Sequence, residues 1–151
     1  MLRMTDHAVS PVHSPMLLLP RLAKQILRRG NEELLGMSPK LMLALSYLQD
    51  RGGGPQQELG DAFGVDANMV VLLLNELEDR GYVERRRDPE DRRRHRVQIT
   101  EEGQAALART EPGRHAIEEE ILGALSPEDR ATLANLLSRA VYGLEHPDGA
   151  S

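Results

Sequence analysis

YVERRRDPEDRRRHRVQIT, residues 82–100, reads as two short strand-like runs around a turn crowded with arginine. Asp88-Pro89 stops the first run, because proline cannot donate to a strand ladder. Val97-Gln98-Ile99-Thr100 restores the alternation, with Val97 and Ile99 on one face and Gln98 on the other. The pattern predicts a β-hairpin whose tip carries charge in place of the tight Asn-Gly turn. Between Arg80 and Arg96 lie eight of the chain's 19 Lys+Arg residues and four of its 24 Asp+Glu residues, a local balance of +4. The remainder keeps 11 basic and 20 acidic residues, so it stands at −9 within a chain of net charge −5. A cationic finger on an acidic body points to a polyanion met at one place.

Upstream of the hairpin, residues 55–63 read as a short helix closed by Gly64. Asp66 caps a second helix over residues 67–80, with Val70, Leu73, Leu74 and Leu77 on its inner face and Gly81 at its end. Two helices joined by a short glycine-containing turn make a helix-turn-helix, and the hairpin that follows at once is its wing. Further upstream, Ser38-Pro39 starts a helix with Leu41, Leu45 and Leu48 as a buried stripe, ending near Arg51. Gly52-Gly53-Gly54 is expected to be a flexible break; it lacks the Gly-Lys-Ser/Thr ending of a phosphate loop. Residues 17–29 carry apolar side chains three and four apart, a helix in whose first turn Pro20 fits, with Gly30-Asn31 at its end and Leu34-Leu35 bridging onward.

Downstream, Thr100 caps a helix whose first turn holds Glu101 and Glu102, and Pro112-Gly113 should kink or break it. Ser126-Pro127-Glu128-Asp129 opens the last helix, whose stripe runs through Leu133, Leu136, Leu137, Ala140, Val141 and Leu144 to a stop at His146-Pro147. The first and the last two helices lie outside the winged core, and their apolar stripes are best buried by a second copy of the chain.

Composition narrows the function classes. A chain of 151 residues is about one domain. With no cysteine there is no disulfide framework, thiolate metal site or thiol redox sensor, which fits a reducing cytoplasm. The apolar run Met16-Leu17-Leu18-Leu19 stops at Pro20, too short for a membrane span or a signal peptide. One Phe, three Tyr and no Trp give little surface for stacking single-stranded bases. Residues 1–14 read as a loose arm, and a metal role for His7 and His13 is the weaker reading. His115 with Glu118 and Glu119 is the nearest approach to a metal site on one helix face, and a solvated charged face explains it better. No nucleophile–base pair stands at motif spacing, so the chain is read as no enzyme, with no cofactor.

Residues 38–103 resemble the MarR family of bacterial winged-helix regulators. The resemblance rests on the helix from Pro55 to Gly64 and on Leu77-Glu78-Asp79-Arg80-Gly81-Tyr82-Val83-Glu84-Arg85. It continues through Asp88-Pro89-Glu90-Asp91-Arg92-Arg93 and Val97-Gln98-Ile99-Thr100-Glu101-Glu102-Gly103. It implies a mainly α fold with a small β-hairpin wing (α+β): a winged helix-turn-helix with N- and C-terminal dimerisation helices. On that plan residues 38–100 are the DNA-binding lobe, 15–37 and 101–146 the dimerisation helices, 1–14 an arm and 147–151 a tail. It also implies a homodimer on a pseudo-palindromic double-stranded operator, usually a repressor, often released by a small-molecule effector, with no membrane role. Two features depart from the family: Met69, Val71 and Leu72 stand where Ser, Thr or Arg is frequent, and Pro112-Gly113 falls within a helix that is usually continuous.

A helix in the major groove reads base edges with its N-terminal turns. The outward set is Ala67, Asn68, Val71, Leu72 and Asn75. Asn68 suits adenine, and Ala67, Val71 and Leu72 suit thymine methyls, predicting an A/T-rich half-site; Asn75, deeper in the helix, reaches phosphate at most. By resemblance Arg93 enters the minor groove, and Asp91 pairs with a neighbouring arginine to hold the tip. Arg92, Arg94 and Arg96 alternate and are expected to share a face opposite Arg93 and His95; Arg85, Arg86 and Arg87 either contact phosphate or pair within the wing. Two recognition helices should lie roughly 34 Å apart. Leu18, Leu22, Met42, Leu45 and Tyr47 are available to line an effector pocket near the first helix, the residue 41–48 helix and the start of the Glu101 helix. The alternative is a ligand-binding or protein-interaction dimer that has lost operator recognition.

Overall fold

Serine followed by proline starts three helices, at Ser14-Pro15, Ser38-Pro39 and Ser126-Pro127. Proline at the first helical position wastes no hydrogen bond, and the serine before it can satisfy an orphan amide. Ser38 Oγ accepts from the Leu41 amide at 3.4 Å and Ser126 Oγ from the Asp129 amide at 3.1 Å. The computed structural model describes residues 13–148; the expected arm with His7, and the end of the tail, lie outside the described residues.

In chain order come α1 (Pro15–Arg29), α2 (Glu32–Leu35), α3 (Pro39–Arg51), β1 (Gly54–Pro55), α4 (Gln56–Phe63), α5 (Ala67–Asp79), β2 (Val83–Arg87), β3 (His95–Ile99), α6 (Glu101–Arg109), α7 (Glu111–Ile121) and α8 (Pro127–Glu145). The protein is thus mainly helical with one small antiparallel sheet, and the helix-turn-helix and hairpin stand where the residue pattern puts them.

Two expectations need correction, and a third, the helix break at Pro112-Gly113, is present and more closely placed. Pro20 is not in the first turn of α1, which begins at Pro15; it falls in the second, at an exposed position where water can serve the carbonyl it leaves unpaired. The triple glycine is not a flexible break but a fixed corner. Gly52 closes α3 at φ 71°, and Gly53, at φ 98°, passes so near β3 that a Cβ on it would lie 2.8 Å from the Val97 carbonyl oxygen. The corner delivers Gly54 and Pro55 to the edge of the hairpin, opposite Val97 and Arg96, so the sheet has three strands in the order β1-β3-β2. Finally, the break near Pro112-Gly113 occurs at Thr110, between α6 and α7. Thr110 is fully buried; its hydroxyl donates to the Leu107 carbonyl at 2.6 Å and accepts from Arg114 Nε at 2.9 Å. Pro112 then sits in the first turn of α7, where its missing N–H costs nothing.

The core is centred on the winged lobe and extends past it through Leu35 and Met37 ahead of α3 and Ile117 of α7. Leu41, Leu45 and Leu48 of α3 meet Leu74 and Leu77 of α5, Val83 and Val97 of the sheet, and Ala106 and Leu107 of α6. Burying each large aliphatic side chain contributes about 1.5–3 kcal/mol, so α6 is held to the lobe by the face it shares with α3. The outer helices differ: α1 and α8 have no buried residue. Leu17, Ile26 and Leu27 of α1 and Leu136, Val141 and Leu144 of α8 are all exposed, Leu144 by 82%. An ion pair from Arg29 to Glu120 at 2.9 Å joins α1 to α7. Among the described residues no helix is long and apolar enough to cross a membrane.

Candidate nucleic-acid interface

The approach to α5 is set by its start. Gly64 ends α4 in the left-handed conformation, and the Val65 amide returns to the Gly60 carbonyl at 3.1 Å. Asp66 Oδ1 then accepts from the Met69 amide at 2.8 Å, capping α5. Val70, Leu74 and Leu77 turn into the core and Leu73 is half-buried. That rotation leaves Ala67, Asn68, Val71, Leu72 and Asn75 exposed, Leu72 by 62%. Asn75 is also engaged: its Oδ1 accepts from Arg85 Nη2 at 2.7 Å, so it braces the wing with the oxygen and keeps only its amide nitrogen for anything outside.

The wing is built on a β2–β3 ladder with Val83 opposite Ile99, Arg85 opposite Val97, Arg86 opposite Arg96 and Arg87 opposite His95. Arg85 is on the inner face and pairs with Glu78 of α5 at 2.9 Å. The hydrogen bond from Arg85 holds the Glu78 carboxyl below its ordinary value of 4.5. A depressed carboxylate contributes stability above its unfolded pKa and loses it as pH falls through the folded one. The α5–wing clasp is therefore expected to hold from neutral pH to about 4.5 and to loosen below it. Wing amide protection factors, with the intrinsic pH dependence of exchange divided out, followed from pH 6 to 3 check this, and in Glu78→Gln the protection should no longer fall with pH.

Arg86 and Arg96 face each other directly on the outer side of the ladder. Like charges so placed destabilise a hairpin. Glu84, 3.1 Å from Arg86, offsets part of that repulsion, and both arginines remain exposed. The tip is ordered by aspartates. Asp88 Oδ1 accepts from the Glu90 amide and Asp91 Oδ1 from the Arg93 amide, each at 3.0 Å, while Asp91 Oδ2 pairs with Arg94 Nε at 3.5 Å. Asp91 thus holds the tip through Arg94. The alternation expected for Arg92, Arg94 and Arg96 does not occur: β3 begins at His95, so Arg92, Arg93 and Arg94 lie in the turn and only Arg96 follows strand geometry. Arg92, Arg93 and Arg96 are exposed and make no ion pair among the described residues. Arg93 and Val71 line one cleft between the wing tip and α5.

A separate apolar cavity of about 440 Å³ lies between α1, α3, α7 and α8. Leu22 and Met42 line it as the sequence suggested, but Leu18, Leu45 and Tyr47 do not. Leu45 is consumed by the core, and Tyr47 packs edge-on to Phe63 at 5.4 Å. Ile117, Leu133 and Leu137 wall it instead, in place of the start of α6. Their helical spacing was visible, but not which helix they would face. His115 lies 3.8 Å from Glu119, whose carboxylate is taken by Arg130. No group of three or more His, Cys, Asp or Glu suited to a metal ion occurs among the described residues.

A family model described as MarR family matches residues 37–95. The putative transcriptional regulatory protein for the hcr operon of Thauera aromatica is 35% identical over 104 residues, covering 69% of this chain and 63% of that protein, so the chain spans less than two thirds of it. Transcriptional regulator HosA of Escherichia coli O111:H- is 31% identical over 121 residues, covering 80% of this chain and 90% of HosA. The crystal structure of a mutant MarR from Escherichia coli complexed with operator DNA superposes with a TM-score of 0.65 at 25% identity, covering 82% of this chain and 90% of that one. Relatives named as transcriptional regulators, a matching family model and a shared winged fold agree, and the chain belongs to the MarR family.

Proposed function

We propose that the chain is a sequence-specific, double-stranded-DNA-binding transcriptional regulator of the cytoplasm, a homodimeric repressor of a pseudo-palindromic operator. The observation that carries this reading is the wing. Arg86 and Arg96 oppose each other across the ladder, and Arg92 and Arg93, with no ion-pair partner among the described residues, stand at the tip beside the exposed first turns of α5. An arrangement that costs the free protein repulsion is repaid when a polyanion enters. Arg93 takes the minor groove, Asn68, Val71 and Leu72 face base edges, and Arg86, Arg92, Arg94 and Arg96 serve phosphates, with Asp91 holding the tip. Residues 38–100 form the DNA-binding lobe, and the uncovered stripes of α1 and α8 support dimerisation through residues 15–37 and 101–146. A small effector would enter the cavity beside α1; its aliphatic walls favour an uncharged ligand. The apolar exposure of Val71 and Leu72 favours a second reading, a ligand-binding or interaction dimer without operator recognition.

Fluorescence anisotropy with the DNA upstream of the protein's own gene, against scrambled DNA, separates the two. Selective binding, weakened by about tenfold or more in Arg93→Ala through the loss of ~1–3 kcal/mol per contact, is expected. Equal, weak binding to both DNAs, unchanged by the substitution, would leave the second reading standing.

A further inference from the structure

Arg51, the last residue of α3, has its Nε sealed from solvent without a hydrogen-bond partner. Such a nitrogen is costly unless an anion stands close. The anion is Glu145, the last residue of α8, with Oε2 3.5 Å away and only 19% of its side chain exposed. The Arg86–Glu84 and Arg94–Asp91 pairs of the wing lie in water, whereas this one, like Arg85–Glu78, is partly withdrawn from it. The Arg51 guanidinium also lies over the Tyr47 ring, 5.3 Å from its centroid, and Tyr47 meets Phe63 of α4 edge-on. Val141 and Leu144 of α8 and Glu58 of α4 line the cleft around the cluster.

The position in the chain matters as much as the contact. Immediately after Arg51 comes the glycine corner that feeds β1 and then α4, so the sheet edge and the helix-turn-helix both hang from this point. At its other side α8 is one continuous helix of 19 residues. Leu133 and Leu137, nearer its start, wall the apolar cavity, and Glu145 at its end holds Arg51.

We infer that Arg51 is a positioning residue for operator binding: through Glu145 it sets the attitude of the winged lobe relative to α8. The inference rests on the operator-binding reading above; the Arg51–Glu145 pair is the joint between α8 and the lobe.

The test uses the full chain, with Glu145→Gln, which removes the charge at nearly constant shape, and Arg51→Lys, which keeps it. Amide hydrogen exchange reads the joint without DNA. Glu145→Gln is expected to keep the dimer mass and the far-UV spectrum, to speed exchange by about fivefold or more both in residues 142–146 and across the joint in residues 52–63, and to weaken operator binding by a similar factor at an unchanged salt slope. Arg51→Lys should keep most of the protection and affinity. Faster exchange confined to residues 142–146 would overturn the inference, since Arg51 would then only clamp a helix end; so would an Arg51→Lys variant that behaves as Glu145→Gln does. Wild-type protein that does not select operator DNA would sink the operator reading alone, and the exchange arm would still decide the joint.

Discussion

Replacing Gly103 by valine is expected to lower stability by about 3 kcal/mol, a fall of roughly 10 °C in the thermal midpoint. Helix propensity argues the other way, since a glycine inside a helix costs about 1 kcal/mol relative to alanine. Local geometry decides the sign. A Cβ on Gly103 would lie 2.1 Å from the Tyr82 carbonyl oxygen, 2.8 Å from Ile99 Cγ1 and 3.0 Å from the Tyr82 carbonyl carbon. The obstacle is backbone, and it is tied down. The Tyr82 carbonyl accepts from the Thr100 amide at 3.0 Å, the Tyr82 amide donates to the Leu77 carbonyl at 2.9 Å, and the Thr100 hydroxyl donates to the Gly81 carbonyl at 2.6 Å. The end of α5, the start of β2 and the first turn of α6 therefore meet where Gly103 has no side chain. Alanine should already destabilise, and valine more, because neither methyl of its branch has room. Thermal and urea unfolding followed by circular dichroism would decide it; a raised midpoint in Gly103→Ala would refute the close approach.

Local rules account for much of the architecture. Ser38, Asp66, Thr100 and Ser126 each cap the helix they precede, Gly64 and Gly81 adopt the left-handed conformation past their helices, and the Val97–Ile99 alternation is a strand. What the pattern hid depends on partners remote in sequence. Gly54-Pro55 has no strand signature; it is a strand because the corner at Gly53 sets it against β3. Three consecutive arginines look the same in a turn as in a strand, and only the Asp91 bonds to the Arg93 amide and the Arg94 guanidinium put them in the turn. The break between α6 and α7 is legible, because Pro112 has no N–H for the Ala108 carbonyl; only its placement at Thr110, whose buried hydroxyl bonds the Leu107 carbonyl and Arg114, is a matter of packing. The candidate interface shows the same division. The exposed face of α5 follows from helical period, whereas the clasp of Arg85 on Glu78 and Asn75 joins different elements at no periodic spacing. Arg51 and Glu145 end two helices far apart in the chain, α3 and α8, and no local pattern pairs them.

Operator affinity is expected to fall by roughly 10³–10⁴ between about 50 and 200 mM salt. Arg86, Arg92, Arg93 and Arg96 are exposed, and of these only Arg86 has a carboxylate partner among the described residues. With the second copy, roughly six to eight phosphates are within their means, and each neutralised phosphate adds about −0.9 to the log–log slope. The rest of the chain repels DNA, since the net charge of −5 includes this basic segment. Attraction is therefore confined to close contact, and salt should act on those contacts rather than on a diffuse field. Arg86→Ala with Arg96→Ala separates contact from folding. About four contacts per dimer would go and the slope should shrink by roughly 3–4 units. The same pair of substitutions removes a like-charge repulsion across the ladder, so the wing should lose none of its stability and gain a few tenths of a kcal/mol (about 0.2–1). Affinity and stability would then move in opposite directions, which separates a contact role from a folding role. Anisotropy at four salt concentrations, with urea unfolding of the same variant, measures both. A slope near zero in the wild-type protein would assign the arginines to solvating the hairpin and return the chain to the second reading, in which the exposed Val71 and Leu72 meet another protein instead of base edges.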